Sequence, residues 1–140
     1  MADFPDNIRL ILAHKQSTSA RVRFLSFAHG ITAFQPLPSF ASFDAETPAP
    51  QVLHHPAFYL SAAEERLGLP EGSLKQESEF VATVTAQDEL IPVYLVFFTS
   101  IDPPFAEVEA SGARFIAITE ARGFSEVDLG LLRHAYSVLI

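Results

Sequence analysis

Ser100, Asp102, Glu120 and Arg122 supply the groups from which a ligand site is commonly built. An arginine guanidinium grips a carboxylate or phosphate with two parallel N–H donors, and an aspartate or glutamate beside it serves as base or hydrogen-bond acceptor. The four residues stand in two separate stretches, so any chemistry between them depends on the fold bringing those stretches together. In the absence of a ligand, Arg122 would pair with Asp102 or Glu120 and tie two loops, which is the commoner use of such charges.

His54 and His55 are the next candidates, because they precede a predicted helix whose positive N-terminal end favours the neutral imidazole. Neutral histidines bind metals and move protons. Adjacent residues seldom both reach one ion, however, and no third ligand stands at a telling spacing, so a structural role is the simpler expectation and no metal site is assigned. Phe40 and Phe43, with Phe34, form a third group that would clamp an apolar ligand or a partner helix, or else close one side of the core. Among the motifs that carry their own mechanism, the glycine phosphate loop, dinucleotide fingerprint, nucleophile elbow, zinc histidine pair and calcium loop are all missing. No cofactor is expected.

Local signals outline the elements that must position these residues. Asp6 is a suitable cap for a helix to about Gln16, and Ser19–His29 reads more readily as a helix than as a strand, with Gly30 as its stop. From Phe34 to Gln51 four prolines among three phenylalanines mark a long connection, which the aromatic rings should pin to the body. A second helix begins at Pro56 and ends at Leu67, with Gly68 and Pro70 as stop signals and Leu60, Ala63 and Leu67 as its inner stripe. Phe80–Ala86 alternates as a strand, and Pro92–Ser100 is apolar enough to be a strand covered on both faces. A short helix from Asp102 to Ser111, a strand over Arg114–Ala121 and a final helix follow. That last helix opens on Ser125 with Asp128 three residues on, an acidic capping box, and Phe124 with Leu129 forms a hydrophobic staple.

These elements predict an α+β fold, with a small mixed sheet packed by helices. Phe80–Ala86 and Pro92–Ser100 form an antiparallel hairpin, and the short helix carries the chain over to Arg114–Ala121 as a parallel neighbour in a βαβ unit. The N-terminal part is helical, and an amphipathic helix closes the chain. Parallel neighbours would place Ser100 and Asp102 beside Glu120 and Arg122 at the carboxyl edge of the sheet, where ligands bind in open sheets.

Composition narrows the classes of function. The 140 residues, 49% hydrophobic with 13 Phe and no Cys, suit one domain spanning residues 1–140 in a reducing compartment, and a cytoplasmic location is expected. No apolar run is long enough to cross a bilayer. Residues 1–43 hold four bases and two acids, against five bases and fifteen acids in residues 44–140, so nucleic acid is an unsuitable partner for the larger part. Three readings follow. The first is a non-catalytic interaction or adaptor domain, acting as a homodimer or on another protein. The second is a small-ligand binder or sensor using the sheet edge at Asp102, Glu120 and Arg122. The third, an enzyme of unrecognised type using the same residues, ranks last.

Overall fold

Alternating burial explains the architecture, because the central strands send apolar side chains to both faces of one sheet. The computed structural model describes residues 7–44, 46–47, 55–78, 80 and 82–140. Its strands are β1 (Arg9–Lys15), β2 (Val22–Ser26), β3 (Ser42–Phe43), β4 (Leu74–Gln76), β5 (Ala82–Ala86), β6 (Glu89–Phe98) and β7 (Arg114–Ile116). The helices are α1 (Pro56–Leu67), α2 (Phe105–Ala110) and α3 (Glu126–Leu139), and a 3₁₀ turn covers Ile118–Glu120. The strands lie in the order β3-β5-β6-β1-β2-β7, with β4 paired beside the C-terminal half of β6. All pairs are antiparallel except β1 with β6, whose register runs from Arg9 opposite Val93 to Ala13 opposite Phe97.

Ile11 and Ala13 of β1, Val22 and Phe24 of β2 and Ile91, Val93 and Leu95 of β6 face α3, which adds Leu131, Leu132, Ala135 and Leu139. Leu10, Leu12, Leu25, Tyr94, Val96 and Phe98 face the opposite way and meet Tyr59, Ala62, Ala63 and Leu67 of α1 and Val108 of α2. The sheet is therefore a middle layer between helices, an arrangement that buries an apolar strand on both sides. The α+β class is as expected, and the mixed sheet joins one parallel pair to antiparallel neighbours. The antiparallel β5–β6 hairpin also forms, with Ala82 opposite Val93 and Ala86 opposite Glu89.

Two expectations are corrected. The N-terminal part is strand rather than helix: the apolar run at Leu10–Ala13 suits a helix stripe locally, but six of the seven residues of β1 are buried because both faces are covered. Helix propensity yields there to tertiary burial. Asp6, the expected cap, lies outside the described residues. The parallel neighbour of β6 is β1, not the strand after α2; β7 pairs antiparallel with β2, and β1 and β2 stand between it and β6. With three residues, β7 offers β6 much less than β1 does with five paired positions.

Helix ends follow the local code more closely. His55 caps α1 through its Nδ1, which accepts the Ala57 N–H at 3.1 Å, and Pro56 opens the first turn. Gly68 ends the helix in a left-handed conformation at φ 69°, and the following Leu69 N–H returns to the Glu64 carbonyl at 2.9 Å. The inner face of α1 is turned from the expected stripe: Tyr59, Ala62 and Glu64 are buried with Ala63 and Leu67. The Glu64 carboxylate takes the Leu74 N–H at 3.0 Å and so fastens α1 to β4. At α3, Ser125 Oγ accepts the Asp128 N–H at 3.3 Å, and Phe124 and Leu129 pack on the same core. The Asp128 carboxylate does not return to the cap; it accepts the Ile31 N–H at 3.3 Å.

The proline- and phenylalanine-rich connection is pinned, chiefly by Arg9. Its Nε and Nη2 donate to the Pro36 carbonyl at 3.3 and 3.0 Å, while Leu37, Ala41 and Phe43 pack against the core under α3. The part of the connection at residues 45 and 48–51 lies outside the described residues.

Candidate functional site

At the carboxyl ends of the parallel pair, the ends of β1 and β6, the paired β4 and the last turn of α3 line an open groove of about 540 Å³. Its apolar floor comes from Phe97 of β6 and from Val138 and Leu139 of α3, and Ile101 stands at its rim. Polar groups converge on it from three strands: Lys15 at the end of β1, Lys75 on β4, and Thr99 and Ser100 just beyond β6. Glu77 also lines it, so among the described residues two lysines and one carboxylate line the groove.

Three of these polar groups, Lys15, Thr99 and Ser100, are held by backbone carbonyls. Lys15 Nζ donates to the Leu139 carbonyl at 2.7 Å, which places a cation on the negative end of the α3 dipole. Thr99 Oγ1 donates to the Gly72 carbonyl at 2.7 Å and Ser100 Oγ to the Asp102 carbonyl at 2.7 Å, leaving the oxygen lone pairs as acceptors. Behind the groove, His14 is wholly buried, and its Nε2 meets the Ser100 carbonyl at 2.8 Å. A carbonyl only accepts, so Nε2 carries the proton, and Nδ1 is left buried without a hydrogen-bond partner. Lys75, exposed on β4, makes no hydrogen bond or ion pair to a described residue, so its ammonium is the free cation of the groove.

The structure divides the residues singled out by sequence. Ser100 lines this groove, and Asp102 lies next to it, its Oδ1 accepting from Gln16 Nε2 at 3.2 Å while Arg23 Nη1 reaches Gln16 Oε1 at 3.3 Å. Glu120 closes the 3₁₀ turn by accepting the Ala117 N–H at 2.8 Å. Arg122 lines a different, shallower hollow with Arg133 and Leu129 of α3. Two strands part β6 from β7, so Arg122 is not brought beside Asp102 and no hydrogen bond joins them. Phe43 is half-buried, its ring 5.7 Å from that of His134, whereas Phe40 is 74% exposed. His55 is the cap of α1, and His54 lies outside the described residues. Among the described residues no three His, Asp or Glu side chains gather as a metal site requires. No helix among them is long and apolar enough to cross a membrane.

Lys15 and Lys75 belong to no motif, so the sequence does not mark them. The signal that would have found them is topological: once β1 is known to run parallel to β6, the carboxyl edge of that pair is the place to look. No protein-family model matches the chain, and no curated protein matches it in sequence.

Proposed function

We propose that the protein is a small-ligand binding domain whose groove at the β1–β6 edge takes a small acid with an apolar body. The observation that carries this reading is the coincidence of an apolar floor with the unpaired Lys75 ammonium at the carboxyl edge of the parallel pair. Ligand sites are generally apolar clefts with a few converging polar groups, and about 540 Å³ is within their usual range. In this pose the carboxylate meets the Lys75 ammonium and the Ser17 hydroxyl, and the hydrocarbon lies over Phe97 and Val138. The bound form is non-covalent.

Calorimetric titration with hexanoate, and with hexanol as the uncharged control, tests the proposal. Hexanoate should bind in preference to hexanol, and Lys75→Glu should weaken it by about tenfold or more, since an ion pair lost and a repulsion gained together exceed 1.4 kcal/mol in a partly desolvated groove. Equal affinity of the variant for hexanoate would remove the groove from consideration. A second reading, a surface for another protein or a second copy of the chain, is favoured by Phe40 at 74% and Phe58 at 61% exposure.

A further inference from the structure

On the α1 side of the sheet a separate cleft of about 490 Å³ opens between the end of α1 and the turn that follows α2. One wall is aromatic and continuous. Phe27 stacks on His29 with centroids 5.5 Å apart and planes within 4°, and meets Phe34 edge-on at 5.8 Å and 71°. The guanidinium of Arg66, in the last turn of α1, lies over the Phe34 ring at 4.7 Å. The opposite wall is small, formed by Ala110, Ser111 and Gly112, and among the described residues no acidic one lines the cleft.

Arg66 makes no hydrogen bond to a described residue. A guanidinium held over a ring face by cation–π attraction still has all its N–H donors to offer, and can receive two oxygens at once. His29 is oriented as well: its Nε2 donates to the Thr32 carbonyl at 2.5 Å, so Nδ1 remains as an acceptor. Ring faces and edges, a preset fork and a narrow volume together select a flat molecule with a planar anionic group.

We infer that this cleft is a second binding site, for a small aromatic carboxylic acid, with the carboxylate forked by Arg66 and the ring held against Phe27 and Phe34. It is distinct from the β1–β6 edge groove, with which it shares no residue. Titration of the full chain with benzoate provides the test, followed by calorimetry and by amide chemical shifts, with benzamide and cyclohexanecarboxylate as controls. Benzoate should bind saturably, ahead of both controls, and should shift the amides of Phe27, His29 and Ser111. Arg66→Ala should weaken it about tenfold or more, and Arg66→Lys by nearly as much, because the charge remains but the fork is lost. Because benzoate also fits the ligand class of the edge groove, occupancy of the cleft is read at the amides of Phe27, His29 and Ser111, whose benzoate shifts should persist in Lys75→Glu, so failure of the groove and failure of this cleft are read separately. Arg66 is exposed, and an unchanged melting temperature in both variants would exclude misfolding. Absence of saturable benzoate shifts at those amides, equal shifts with benzamide, or undiminished shifts in Arg66→Ala would each overturn the assignment.

Discussion

Asp128 shows how one side chain can hold two parts of the chain together at a cost to its own ionisation. It is 6% exposed, and burial raises its pKa above 3.8 by more than the Ile31 N–H and the nearby His29 lower it. The folded protein therefore keeps this proton at pH values where the unfolded chain has released it. Its contribution to stability is complete below 3.8 and declines as pH rises through the folded value. Asp128→Asn retains an acceptor for Ile31 but has no proton to lose. Urea denaturation should accordingly show the variant gaining on the wild type as pH rises above 3.8, the opposite of the loss expected from a carboxylate stabilised by an ion pair. Gly30 explains how the carboxylate comes so near: its φ of 140° is a glycine conformation, and a Cβ there would collide with Asp128 Oδ2. Little of this was legible in the sequence. The Ser125–Asp128 spacing identified the cap, but nothing local distinguishes a carboxylate returning to its own helix from one reaching Ile31.

At the scale of elements, legibility followed the range of the interactions. Helices α1 and α3 were readable because Pro56, Gly68, Ser125 and Phe124 act on backbone within a turn of themselves. Strands β1 and β2 were not, because an apolar run becomes a strand or a helix according to what covers its second face, and that cover arrives from α1 and α3 far along the chain. The same dependence turned the inner face of α1, where Glu64 is buried by its bond to the Leu74 N–H. One element can be improved. Gly130, inside α3, costs about 1 kcal/mol relative to alanine, and among the described residues an added Cβ would meet Phe43 Cδ2 alone, at 3.3 Å. The Phe43 ring sits half-buried on a two-residue strand and can retreat by the few tenths of an ångström required. Gly130→Ala should raise stability by about 0.5 kcal/mol, visible as a higher midpoint in thermal denaturation monitored by circular dichroism.

For the whole molecule, composition and the β5–β6 hairpin were enough to indicate an α+β fold, but not to choose the parallel partner of β6. That choice moved the candidate site: Asp102 and Arg122 were matched on an adjacency that belongs to β1, and the groove beside Lys15 and Lys75 takes their place. The partner-binding reading is also tested at this scale. If Phe58 seats against a second copy, sedimentation equilibrium should give twice the 15.4 kDa chain mass, returning to a single copy with Phe58→Ser. A single copy in the wild type would confine that reading to other proteins.

The two ends of the sheet have a bearing on how the protein behaves in concentrated solution. A flank of unpaired backbone is a template on which further chains can add, and the hazard grows with its length. Among the described residues the marginal strands are β3, with two residues, and β7 and β4, with three each. So short a margin gives a neighbouring molecule almost no ladder to extend, and crowding should leave the fold dispersed rather than drive it into fibres.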